Sequence, residues 1–195
     1  MLQEKLKNYK LILASASPRR QQFLREMGLD FEVRLKEVEE MYPLHLEASD
    51  ISDYLAKLKA SVQKDDLKSH EILITSDTVV WHNGESLAKP KDAQEAQEML
   101  EKLSNDWHEV ITSVCFTTPK TQLIKNHSTQ VKFKELSIAE IMYYIENYQP
   151  YDKAGAYGIQ EWIGLIGIKE LKGTYTNVVG LPTQLVYETL MHMVS

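Results

Sequence analysis

The run Leu11-Ile12-Leu13-Ala14-Ser15-Ala16-Ser17-Pro18-Arg19-Arg20 constrains this chain more than any other stretch. Its apolar first part has the character of a buried β-strand and ends at two serines. Pro18 then stands at the first position of a helix, with Ser17 as its N-cap. A strand that runs straight into a capped helix turns backbone N–H groups outward at the positive end of the helix dipole. Arg19 and Arg20 add planar, permanently charged forks suited to phosphate oxygens. The pattern predicts an anion cradle with a polyphosphate as its guest. An ordinary capped helix carrying two solvated arginines is the plainer alternative.

The chain has 195 residues, 43% of them hydrophobic, enough for a real core and one domain or slightly more. A net charge of -6 without a basic stripe argues against a nucleic-acid polymer as partner. A local positive cleft can still take an anionic small molecule. The single cysteine, Cys115, excludes an intramolecular disulfide and a cysteine-based metal site, and its apolar setting predicts a buried strand position. The N-terminal MLQEKLKNYK lacks the apolar segment of a signal peptide. No run approaches the roughly 18 apolar residues of a membrane span. The expected location is the cytoplasm, with no membrane partner.

Strand patterns fall near 10–15, 31–35, 71–76, 107–117, 122–133 and 163–168, and helical patterns near 18–27, 49–65, 92–103, 137–147 and 182–193. Asp92 with Glu95, and Ser137 with Glu140, have capping-box spacing. Gly28 closes the first of these helices, and Pro182 opens the last. His82-Asn83-Gly84-Glu85 marks a tight turn. Early strand–helix alternation followed by a long pair about Thr118-Pro119-Lys120 predicts an α/β fold with a mixed sheet.

Four further segments bear chemistry. In Thr75-Ser76-Asp77-Thr78, a carboxylate near the end of a buried strand needs something to offset its desolvation. Asp77 can ligate Mg²⁺, orient a water or accept its proton, or it can simply cap a turn. Lys89, before Pro90, is held extended and can reach towards strand ends, or stay solvated. Lys59 lies at the edge of an apolar helix face, where it either snorkels to water or enters a cleft; the acidic run Glu37-Val38-Glu39-Glu40 precedes that helix. In Asp152-Lys153-Ala154-Gly155-Ala156-Tyr157-Gly158-Ile159-Gln160, small residues permit close approach to a flat ligand, and Gln160 offers a donor and an acceptor to a nucleobase edge. Tight packing of a helix-to-strand connection competes with that reading. Neither a P-loop nor a GxGxxG fingerprint is present.

Together with Asn177-Val178-Val179-Gly180-Leu181-Pro182, these blocks closely resemble the Maf family, in its order and over nearly the whole chain. The resemblance implies a nucleoside triphosphate pyrophosphatase that cleaves between the α and β phosphates with Mg²⁺ or Mn²⁺ and cleans the nucleotide pool. It implies an elongated mixed β-sheet flanked by helices, like that of inosine triphosphate pyrophosphatases. A single domain over 1–195, with two lobes around a cleft, would suit it, often as a homodimer. The Ser-Pro-Arg-Arg and Asp-Lys-Ala-Gly-Ala-Tyr-Gly-Ile-Gln forms resemble the branch acting on dTTP and UTP.

By motif position, the resemblance implies Asp77 as general base or metal-bound activator of water, with Glu40 helping to hold the cation. Lys59, Lys89, Arg19 and the Ser15–Ser17 backbone would bind the triphosphate, and Arg20, Thr78 and Gln160 would help select the base. Three positions depart from the family pattern. Val38-Glu39-Glu40 replaces Ile-Asp-Glu, so Glu37 or Glu39 could substitute for Glu40; Ala88 stands where Gly precedes Lys-Pro, and Glu161-Trp162 follows Gln160 where Gly is usual. Competing readings are a pyrophosphatase for modified or other nucleotides, 7-methyl-GTP among them, and a non-catalytic regulator of septum formation.

Overall fold

The computed structural model describes residues 1–194. A single helical turn, α1 (Leu2–Lys5), precedes β1 (Lys10–Leu13), α2 (Pro18–Glu26) and β2 (Phe31–Val33). Next come α3 (Ser49–Ser61), β3 (Glu71–His82), β4 (Glu85–Ser86) and α4 (Ala93–Leu103). Strands β5 (Trp107–Thr117) and β6 (Gln122–Phe133) are followed by α5 (Ile138–Tyr148) and α6 (Trp162–Gly167). Strand β7 (Ile168–Lys172) and helices α7 (Tyr175–Val179) and α8 (Thr183–Met193) close the order. The sheet runs β2-β1-β3-β5-β6-β7, with β4 paired to β3. β1 is parallel to β2 and β3, whereas β4 is antiparallel to β3 and β7 to β6. The sheet is mixed, as expected.

The chain divides into two compact units. The first comprises Met1–Asp77, Thr112–His127 and Gly180–Ser195, and the second Thr78–Ile111 and Ser128–Val179. In the first unit, the two-residue period of the strands sorts side chains onto two faces. Leu11, Leu13, Ile72, Ile74, Val114 and Phe116 pack with Leu24 of α2 and with Val186 and Leu190 of α8. Ile12, Leu73 and Cys115 face the other way, against Ala56 and Ala60 of α3. The second unit gathers α4 and α5 around Val110, Val131 and Phe133.

Local signals in the sequence act as expected. Ser17 caps α2 by accepting the Arg20 N–H, and Asp92 caps α4 through Glu95 at 2.9 Å. Ser137 and Glu140 form a reciprocal capping box. Gly28, at φ +70°, ends α2 with paired bonds from Gly28 N to Arg25 O and Leu29 N to Leu24 O. Asn83 and Gly84 both take positive φ and make the tight β3–β4 turn.

Other expectations need correction. Residues 163–168 are mostly helix, not strand. Ile163 and Gly167 of α6 are buried at four-residue spacing, and so short an apolar run cannot distinguish strand from helix by period. α3 stops at Ser61 instead of 65, with a 3₁₀ turn at Lys64–Asp66. Pro182 is the N-cap of α8, one place before its first residue. β3 continues to His82, so Asp77 lies mid-strand and not at a strand end.

Candidate active site

The first unit builds an ionic cluster where β3 outruns its parallel neighbour. β1 ends with Leu13 paired to Ile74, so Thr75, Ser76 and Asp77 extend past it. Strand period puts Thr75 and Asp77 on the face of Leu73, towards α3. Thr75 Oγ1 donates to Ala56 O of α3 at 2.6 Å, fixing that helix against the strand. One turn along, Lys59 Nζ meets Asp77 Oδ1 at 2.6 Å and Glu40 Oε2 at 3.0 Å. The Asp77 side chain is 10% exposed, against 48% for Glu40. The buried carboxylate predicted to need compensation receives it from Lys59.

The capped helix sits at the same place in the strand. Ser15 is buried, and its Oγ accepts the Ser17 N–H at 3.2 Å. Arg20 crosses to the strand, with Nη1 donating to Ser76 O at 2.9 Å and Nε to Gly180 O at 2.8 Å. Burial lowers the Arg20 guanidinium from its ordinary value, and the Asp77 charge opposes that shift. Arg20 thus ties the helix start to the residue beside Asp77. Arg19 is half-buried in the first turn of α2.

Two carboxylates against one ammonium leave the Glu40–Lys59–Asp77 cluster net anionic. An oxygen-only carboxylate pair fits a hard divalent cation, since Mg²⁺ takes one or two carboxylates and completes its shell from phosphate and water. Among the described residues no group of three or more His, Cys, Asp or Glu side chains is placed to hold a metal ion. A cation here would depend on oxygens brought by a ligand.

Thr78, Lys89 and Gln160 belong to the second unit. Thr78 and Gln160 are half-buried, and Lys89 is exposed. Gly155, at φ +68°, brings its Cα against Val80, where a Cβ would fall 2.9 Å from Cγ1. This close packing accounts for part of the glycine-rich segment without a ligand. The turn that carries Gln160 is fastened at both ends by a network that no sequence motif announced. Tyr144 of α5 receives the Gly158 N–H at 3.0 Å and donates to Glu161, which is paired with Lys153 at 3.1 Å. The available signal was a tyrosine on the buried stripe of α5 with Ile141 and Ile145.

Residues 10–193 match the family described as Maf-like protein. The chain is 57% identical over 194 residues to a dTTP/UTP pyrophosphatase of Flavobacterium johnsoniae, covering 100% of both chains. It is 59% identical to one of Flavobacterium psychrophilum, covering 98% of each. A solved structure, the Ham1 protein of Staphylococcus aureus, aligns with a TM-score of 0.55 at 16% identity, covering 94% of this chain and 99% of that one. The Ham1 likeness speaks to the fold alone and agrees with the expected architecture. With the family pattern running almost end to end and more than half of all residues shared with such relatives, this chain belongs to the Maf family.

Proposed function

We propose that this chain is a nucleoside triphosphate pyrophosphatase that hydrolyses dTTP and UTP to the monophosphate and pyrophosphate, cleaning the nucleotide pool of the cytoplasm. The observation that carries the reading is the Lys59 ammonium held between Asp77 and Glu40, beside a capped helix start that Arg20 ties to Ser76. The names of the Flavobacterium relatives supply the substrate class.

In the proposed reaction, a water oxygen attacks the α phosphorus in line with the leaving pyrophosphate. The Asp77 carboxylate accepts the water's proton. The P–O bond to the β phosphate breaks, and its electron pair leaves with pyrophosphate. Lys59, Arg19, Lys89 and the Ser15–Ser17 backbone bind the phosphates and neutralise charge as it grows on the leaving group. Mg²⁺ or Mn²⁺, held by Asp77 and Glu40, would polarise the phosphoryl oxygens when bound. Thr78 and Gln160 contact the base, and Arg20 supports that selection from the helix start. The proposed assembly is a homodimer of one-domain chains, to be checked by light scattering.

The deciding experiment is pyrophosphate release from the purified chain with Mg²⁺, across dTTP, UTP, CTP, GTP, ITP and 7-methyl-GTP. Preferred turnover of dTTP and UTP is expected. Preference for 7-methyl-GTP or ITP assigns a different substrate, and no turnover of any nucleotide leaves a binding protein.

A further inference from the structure

We infer that Tyr144 and Glu161, steadied by Lys153, are positioning residues that aim the Gln160 amide and thereby set nucleotide preference. The inference rests on the proposed contact of Gln160 with the base.

The geometry is specific. Tyr144 is fully buried on α5. Its hydroxyl accepts the Gly158 N–H at 3.0 Å and donates its own proton to Glu161 Oε2. The other Glu161 oxygen lies 3.1 Å from Lys153 Nζ, and the Lys153 side chain is only 9% exposed. The Glu161 N–H also bonds Gly158 O at 3.0 Å. Residues 158–161 therefore close on themselves as a turn, and both ends are fastened to one hydroxyl. Of the two central residues, Ile159 is buried in the core and Gln160 is half-exposed. The Gln160 amide lies against Gly158, where a Cβ would come within 2.8 Å of its Nε2. A Cβ at Gly164 would stand 1.9 Å from Ile159 O, so α6 packs tightly on the same turn.

A buried ion pair is a poor source of stability, because desolvation of both charges offsets most of their attraction. What such a network supplies is one defined arrangement, since each member fixes the next. Burial, and then the hydrogen bond to Glu161, raise Tyr144 above the ordinary tyrosine value, so the hydroxyl keeps its donor role.

The test measures kcat/KM for dTTP and CTP in the full chain and in Gln160→Ala, Tyr144→Phe, Glu161→Ala and Glu161→Gln, each with a thermal melt. Tyr144→Phe and Glu161→Ala are expected to lower the dTTP/CTP ratio about tenfold, the scale of a lost hydrogen bond that fixes a specificity group. The change should lie in KM, with kcat for dTTP held within about threefold. Glu161→Gln, which still accepts from Tyr144, should retain most of the preference. If Gln160→Ala collapses the ratio while Tyr144→Phe and Glu161→Ala leave it intact, the positioning role is overturned and the base contact stands. If Gln160→Ala leaves the ratio intact, the base contact falls and the positioning role with it. Should Tyr144→Phe fail to fold, the Glu161 pair decides by the same ratio.

Discussion

Lys59 Nζ lies 2.6 Å from Asp77 Oδ1, so the proposed general base is held in an ion pair by the helix that packs on its strand. The same ammonium reaches Glu40 at 3.0 Å and stands where the two carboxylates meet. A divalent cation using those oxygens competes with it. Lys59→Met should therefore bind Mn²⁺ about two- to fivefold more tightly without nucleotide, the scale of one partly exposed ion pair. Titration followed by electron paramagnetic resonance reads this directly. The nucleotide KM should rise in the same variant, because the proposed phosphate contact is lost. Unchanged or weaker Mn²⁺ binding would show that the ammonium does not occupy the cation's place.

Asp77→Asn keeps the shape of the side chain and removes the proton acceptor. Lys59 retains Glu40 as a partner, so the fold should survive, with a melting temperature within a few degrees of the parent. Turnover of dTTP should fall by about 10²–10⁴, the usual contribution of a general base. Near-normal pyrophosphate release from a folded Asp77→Asn protein removes Asp77 from the chemistry.

Much of this arrangement was legible in the sequence because its signals are local. Ser17 before Pro18, Asp92 before Glu95 and Asn83-Gly84 each specify a cap or turn through neighbouring atoms. The partner of Asp77 was not legible, because Lys59 lies 18 positions away and reads equally well as a solvated edge residue. Arg20 resembled a phosphate fork, yet two of its nitrogens hold backbone carbonyls at Ser76 and Gly180. The latter contact spans 160 positions, and no local pattern encodes it. The helix at Trp162–Gly167 escaped because so short an apolar run carries no period that separates helix from strand.

Arg19 and Lys89 are assigned to the phosphates on chemistry and motif position. Each would make a charge-assisted contact worth about 1.5–3 kcal/mol, so Arg19→Ala and Lys89→Ala should each lower kcat/KM for dTTP by about 10- to 100-fold. Binding of thymidine, which lacks phosphate, should hardly change. Calorimetric titration with thymidine and steady-state kinetics with dTTP separate the two effects. A variant whose dTTP kinetics match the parent has lost no phosphate contact.

Acid should loosen the protein through two groups that titrate in the same direction. His108 is buried against Phe133, with Nε2 2.7 Å from the Tyr157 hydroxyl, and burial depresses it to about 3. Its unfolded value is near 6.5, so between those limits the unfolded chain binds the extra proton and stability falls as pH falls. At pH 5 the loss is about 2 kcal/mol. Glu71, bonded to Arg34 at 3.0 and 3.3 Å, is held down at about 2. Its stabilisation is complete above about pH 4.5 and disappears as pH drops towards 2. Urea unfolding at pH 7, 6 and 5 should thus show a declining midpoint before Glu71 contributes. His108→Phe removes the titrating ring, keeps an aromatic surface against Phe133, and should flatten that decline. Arg34→Met should leave the upper window unchanged and weaken the protein by about 3 kcal/mol at pH 7, because Glu71 becomes a buried charge without its partner. A decline that persists in His108→Phe would assign the pH 7-to-5 sensitivity to another group.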